Sequence, residues 1–434
     1  MILSMILPSA YAQYSQAQQS EEDVDALNEK GREAYMNDEY DKAISFFDQV
    51  LEIDPNYVKA LVGKAEALYD LEKYEEAIVY YDKVLEIEPK NVDALNNKGI
   101  TLKNLGQYEE AIVYFDKILE IEPNNVDALN NKGIALKNLG QYEEAIVNYD
   151  NALEIDPNYV KALDNKGIAL GILGNYEEGI IYFDKILEID PNYVRALFNK
   201  GLAFVKLGTF EEAIVYYDKA LAINPDGLGV LNAKALALSS LGKPEEAIIY
   251  YDKILEIVPN DVEALLFKGL GLGALGKPEE AIIYYDKILE IDPNYVPALY
   301  YKGTVLGVLQ KYEEAIIYLD KALEIDPDRE KVLEIKNALL KIINKPQIPD
   351  WIKNNAKWWS EGQIDDSDFV AGIQYMIKEN IIIIPELPEV TVSAEEEIPG
   401  WIKNNAGWWA EGLISEDEFV NGIKYLVEHG IIRV

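Results

Sequence analysis

Apolar and polar positions along this chain follow a pattern that returns every 34 residues, clearest from Val92 to Asn125, VDALNNKGITLKNLGQYEEAIVYFDKILEIEPNN. Leu95, Gly99 and Leu102 recur there at helical spacing and form one stripe, and Ala111, Phe115 and Ile118 form a second. The spacing predicts two helices per unit, the first stopped at Gly106 and the second ended by Pro123. Gly99 and Ala111 are small, which suits a close crossing of the two. The closing proline returns without insertion at Pro55, Pro89, Pro123, Pro157, Pro191, Pro225, Pro259, Pro293 and Pro327, so nine units span 24–329. A period of this length predicts a solenoid, in which each unit buries its apolar face against its neighbours.

With a small residue in each helix, an aromatic later in the second and a closing proline, the unit resembles the tetratricopeptide repeat. The resemblance covers 24–329 and implies an all-α, right-handed solenoid whose first helices line a concave groove for a peptide or partner protein. Leu27 and its equivalents replace the family's usual tryptophan, Ala65 and Ala235 stand where glycine is usual, and Gly179 replaces the second small residue. Pro244 and Pro278 fall in the first turn of a second helix, where proline is tolerated. One more amphipathic helix, Glu330 to Ile343, is expected to cap the stack as part of 330–346.

Beyond the cap the pattern changes. All six tryptophans lie in two copies of one segment, 348–384 and 398–434, joined by an acidic, proline-containing linker, 385–397. Each copy reads as two short helices, the first carrying Trp351, Ile352, Ala356 and Trp359 and ending at Gly362. Asp365 to Asp368, and Ser415 to Glu418, look like N-cap boxes for the next helix, which Asn380 or Gly430 closes. Copies this small are expected either to rely on their tryptophans for a core or to dock on something. The segment resembles a Trp-rich repeat of exported proteins of ammonia-oxidising archaea, a resemblance that implies no activity.

Composition narrows the function. A net charge of −37 argues against nucleic acid, which needs clustered Lys and Arg. There are no cysteines, and no apolar run approaches a membrane span. Residues 1–12, MILSMILPSAYA, end in the small-x-small pattern of a signal-peptidase site and read as part of a signal peptide, followed by a flexible tether at 13–23. Export or attachment to the cell envelope is therefore expected, with the cytoplasm as the alternative.

Little here can carry catalysis. The single histidine, His429, reads as a helix C-terminal residue, and Asp365, Asp366 and Asp368 lack the spacing of a calcium loop. No phosphate loop or nucleophile motif occurs, and Glu109 and Glu110 suit the positive end of the second helix. The expectation is a protein that is not an enzyme, with no cofactor and no metal site.

Binding has better support. Asn96, Asn97, Asn130, Asn131, Asn165 and Asn199 fall on the first-helix face that lines the resembled family's groove. Such a column could hydrogen-bond an extended peptide backbone, or tie neighbouring first helices together. Further on, the same face becomes apolar at Phe198, Leu266, Phe267, Tyr300 and Tyr301, which reads as an anchor pocket or as packing between units. A lysine recurs in every unit, including Lys98, Lys132, Lys166 and Lys200. It reads either as a cationic ladder for an acidic ligand or as a stem on apolar surface whose ammonium meets a glutamate of a neighbouring unit. The reading that results is a scaffold whose groove holds a partner and whose tail docks it to the envelope. Its alternatives are a structural component assembling end to end and, last, an enzyme with a carboxylate site.

Overall fold

The computed structural model describes residues 24–343, 346, 348–389 and 397–433. The leader 1–12 and tether 13–23 lie outside the described residues, as does 390–396 of the linker. Regular structure among the described residues is α-helical apart from an isolated bridge residue, Ile383. The chain divides into two compact bodies at Lys243 and Pro244.

The first body is built from helix pairs. Typical are Val92–Asn104 with Tyr108–Ile121, Val126–Asn138 with Tyr142–Ile155, and Val160–Ile172 with Tyr176–Ile189. Each helix packs on the one before and the one after, and consecutive first helices also touch. Leu95, Leu102, Ala111, Phe115 and Ile118 form one buried cluster with Ala128 of the next unit, so the core passes from unit to unit. Gly99 is needed where it stands: a Cβ there would lie 2.7 Å from Cε1 of Phe115. After Leu105 the chain turns through Gly106 at φ +77°. Gly106 N–H donates to Lys103 C=O at 3.0 Å and Gln107 N–H to Leu102 C=O at 2.9 Å, closing the helix with a Schellman pair. Glu72 holds the same left-handed position at φ +60° without glycine's freedom.

The second body opens with Pro244–Ile257. It continues through Val262–Ala274 with Pro278–Ile291 and Val296–Val308 with Tyr312–Ile325 to the capping helix Glu330–Ile343. Lys336 of that helix pairs with Asp320 at 2.5 Å, so the cap keeps the register of a further first helix.

The tail helices are Ile352–Ser360, Asp366–Lys378, Gly400–Ala410 and Glu416–Glu428. Asp365 caps the second by accepting from Asp368 N–H, and Ser415 with Glu418 forms a reciprocal capping box on the fourth. His429 is that helix's C-cap residue. The two copies share one core, in which Ile352, Ala356, Trp359 and Phe369 meet Ile402, Ala406, Trp409 and Phe419. What each copy docks on is therefore the other. Trp351, expected on the apolar stripe, is instead half exposed at the helix entrance.

Candidate functional site

The recurring lysines are turned into the joints between units. Lys98 is buried, and its ammonium donates to Asp82 of the preceding unit's second helix and, at 2.7 Å, to the Tyr114 hydroxyl of its own. It lies 4.4 Å from the centre of the Tyr114 ring. Lys64, Lys166 and Lys302 repeat the arrangement; Lys200 and Lys268 pair with Asp184 and Asp252 and lie 4.3 Å from the ring centres of Tyr216 and Tyr284, and Lys234 pairs with Asp218. Lys132 pairs with Asp116 at 2.6 Å but has Asn148 where the tyrosine would be. The acid is thus an aspartate, 16 residues back, rather than a glutamate. Lys30 has no described unit before it and is exposed. Burial lowers the pKa of Lys98 and Lys166, but the aspartate and tyrosine hydrogen bonds and the aspartate charge outweigh it and raise both above the ordinary lysine value.

On the outer face of the first helices, side chains of consecutive units are bonded to one another 35 residues apart. Asn131 donates to Asn96 Oδ1 at 3.2 Å, Asn165 to Asn130 at 2.9 Å and Asn199 to Asp164 at 3.2 Å. Tyr35 donates to Asp70 at 2.6 Å, and Asn104 to the Tyr69 hydroxyl at 2.7 Å, in the same register. Asn97 instead reaches back to Glu66 at 3.4 Å. Asn130 and Asn165 are buried, so these amides act as rungs between helices. Asp164, also buried, is held by Arg195 at 2.8 Å; burial raises its pKa while Arg195, Asn199 and Lys137 oppose the rise. Phe198 is half-buried and packs on the ring of Tyr217.

In the second body Leu266 is buried, while Phe267, Tyr300 and Tyr301 are half-buried. Phe267 stacks on Tyr251 and Tyr301 on Tyr285, with Tyr300 4.9 Å from Tyr301. These rings pack on the helix pair and remain partly accessible.

Family models described as tetratricopeptide repeat match 34–96, 92–125, 126–159, 160–193, 194–226, 232–296 and 296–329, well over half of the chain. The chain belongs to the tetratricopeptide repeat family. No curated protein matches it. Among solved structures it is similar to a tetratricopeptide repeat protein from Parabacteroides merdae, with 19% identity, TM-score 0.43, and 57% of this chain and 98% of that one covered. YrrB, described as a TPR protein with an unusual peptide-binding site, gives 28% identity, TM-score 0.36 and coverage of 43% and 97%. PilF of Pseudomonas aeruginosa gives 23%, 0.42, and 48% and 94%.

Three features of this tetratricopeptide chain were not singled out from its sequence. Lys103 and Lys137 occupy equivalent positions in consecutive first helices, half-buried, and among the described residues neither has a hydrogen bond or ion pair. Burial lowers the pKa of both, and each is lowered further by a neighbouring cation, Lys137 for Lys103 and Arg195 for Lys137, with the charge of Asp164 opposing the fall at Lys137. One unit on, the equivalent residue is Gly171, beside a hollow of about 380 Å³. The third feature is in the tail. Trp359 and Trp409 are buried, stacked on Phe369 and Phe419, but Trp351, Trp358, Trp401 and Trp408 are 44–51% exposed. Spacings of seven residues put each exposed pair on one helix face, roughly 10 Å apart. Heptad spacing was the signal that could have found them.

Proposed function

We propose that the chain is a non-enzymatic interaction scaffold: the outer face of its first helices holds an extended segment of a partner protein, and the tail attaches the assembly to the cell envelope. One observation carries the first half. The buried face repeats almost unchanged from unit to unit, whereas the position of Lys103 reads Tyr35, Tyr69, Lys103, Lys137, Gly171 and Val205 in successive units. A stack needs only the repeating face for its stability. A surface that changes its chemistry at each fixed step suits the reading of a partner's sequence. The amide rungs support this by fixing the step. For the tail, four exposed tryptophans over a single core offer aromatic anchors of the kind that dominate binding surfaces. No described helix is long and apolar enough to cross a membrane, so envelope attachment would run through these side chains.

The test uses the full chain as bait in soluble and envelope extracts, beside a groove variant, Lys137→Glu, and a tail variant, Trp358→Ala with Trp408→Ala. A discrete protein lost only with the groove variant supports the scaffold. Loss only with the tail variant makes the solenoid a spacer. Absence of any discrete partner refutes the reading, and fractionation of native protein into cytosol alone removes its envelope half.

A further inference from the structure

Glu66 stands where Ile100, Ile134 and Ile168 stand in the units that follow, and Asp70 where Asn104 and Asn138 stand. The two carboxylates are four residues apart on the helix Val58–Asp70, a spacing at which like charges destabilise the helix that carries them. Glu66 is half-buried, and among the described residues neither acid makes an ion pair. Burial pushes the Glu66 carboxyl above its ordinary range, with the charges of Asp70 and Asp93 adding and that of Arg32 opposing. Arg32 is itself turned to solvent, its side chain 65% exposed and its guanidinium 3.9 Å from Glu29. The pair therefore lowers stability in the free protein, and a cation between the two relieves it.

Both acids line a hollow of about 220 Å³ with Tyr35, Tyr69, Tyr81 and Asn97. Tyr35 donates to Asp70 at 2.6 Å and Asn97 to Glu66 at 3.4 Å. Tyr81 is different. It is 1% exposed, it lines the hollow, and among the described residues its hydroxyl has no hydrogen-bond partner. Packing does not call for that hydroxyl, since Phe47, Phe115 and Phe183 fill the same place in other units. Burial and the charge of Glu66 hold it above the ordinary phenol value, so it stays neutral and keeps lone pairs to offer.

We propose that this hollow binds an alkylammonium group, with Glu66 and Asp70 as its counter-charges and the Tyr81 hydroxyl as a third acceptor. An ammonium carries three donors in separate directions and can meet all three oxygens at once, whereas a planar guanidinium forks onto one carboxylate. The rings of Tyr35 and Tyr69 offer faces to the cation and its alkyl stem. Calcium takes roughly six to eight oxygens, and among the described residues no three acidic or histidine side chains gather as ligands for a metal. The ammonium belongs to a free amine or to a lysine side chain of another protein. The scaffold reading above gives this hollow no ligand, so the inference goes beyond it.

Isothermal titration calorimetry of the full chain tests it, with n-butylammonium, acetyl-lysine methylamide, methylguanidinium and butanol as probes. Both ammonium probes are expected to fill one site, and butanol to give no binding heat. Tighter binding of the lysine amide assigns the hollow to a side chain of another protein; tighter binding of n-butylammonium assigns it to a free amine. Glu66→Gln should weaken the ammonium probes by about ten-fold and Tyr81→Phe by about three-fold. Glu66→Ile, which installs the residue found at Ile100, should abolish binding while raising the thermal midpoint, a pairing that a merely structural role would not produce. The variants also separate this site from general attraction of cations to a chain of net charge −37, which they would barely change. The proposal is overturned if neither ammonium probe binds, if Glu66→Gln or Tyr81→Phe leaves their affinity unchanged, or if methylguanidinium binds more tightly than n-butylammonium. Capture of a partner that is lost with Lys137→Glu, together with failure of both ammonium probes, would sink this site and leave the scaffold standing.

Discussion

Asp150→Asn and Lys166→Met remove the same ion pair from opposite ends, and the structure makes the two losses unequal. The Lys166 side chain is 5% exposed and that of Asp150 is 45% exposed. With Asp150→Asn the ammonium stays buried without its counter-charge, keeping only neutral partners: the amide oxygen at position 150, the Tyr182 hydroxyl at 2.6 Å and the ring 4.3 Å away. Breaking a fully buried pair this way costs about 3–5 kcal/mol, and with one partner almost half in water the figure falls to about 2 kcal/mol. With Lys166→Met the apolar stem is kept and Asp150 turns to solvent, so the loss is about 1 kcal/mol or less, mainly the ring contact. The double variant should match Lys166→Met alone, because the charge that suffers is already gone. A repeat array does not unfold as one unit, so the readout is native-state hydrogen exchange in the flanking helices, Tyr142–Ile155 and Val160–Ile172. A loss for Lys166→Met equal to or above that for Asp150→Asn would refute the view that the ladder is held by desolvated ammonium groups.

Five further outcomes follow from the geometry. Glu72→Gly and Gln310→Gly, at left-handed positions, should each raise stability by about 1 kcal/mol in urea unfolding. Tyr149→Phe and Tyr217→Phe should be neutral or stabilising by about 1 kcal/mol, because both hydroxyls are buried without a partner and Phe115 and Phe183 fill the same place elsewhere. Trp409→Ala should cost about 3–5 kcal/mol and loosen both tail copies, seen as lost exchange protection in Ile352–Ser360 as well, whereas Trp358→Ala should stay within about 0.5 kcal/mol. Lys64, Lys98, Lys166, Lys200, Lys268 and Lys302 are raised in the folded state, so their contribution is complete below the ordinary lysine value of 10.5 and is lost as pH climbs above it. Lys103→Met, removing a lysine whose pKa is lowered, should stabilise at neutral pH and lose that advantage as pH rises towards 10.5.

The helices and their crossings were legible because the period repeats every constraint nine times: Leu95 and Phe115 mark the buried stripes, and Gly106 the turn. What escaped were pairings between units. Asp82 lies 16 residues before Lys98 and belongs to the previous unit, so reading within one unit finds the lysine but not its acid. The step of 35 that joins Asn130 to Asn165 likewise depends on how adjacent helices are offset. That Lys103 and Lys137 make no ion pair along this step was written in the sequence once the step is known, since Asn138 and Ile172 stand 35 residues on; the charge of Asp164 on Lys137 comes from a different offset. In the tail, Ile352, Ala356 and Trp359 already define a complete inward stripe, which leaves Trp351 and Trp358 for the opposite side.

The shared core of the tail has a consequence for valency. Lys353 lies over Trp409 and Lys403 over Trp359, so the copies meet through matching surfaces, with Gly407 admitting Ser360 at the crossing. Nothing in such an interface distinguishes a copy on the same chain from one on another. Within one chain the linker keeps the mate at an effective concentration on the order of millimolar, which favours pairing of the two copies of one chain in dilute solution. Where molecules are crowded to comparable density, exchange of one copy between neighbours joins two solenoids through the same buried contacts. The tail would then act as a coupler set by local density, and each exchange would double the number of grooves presented together.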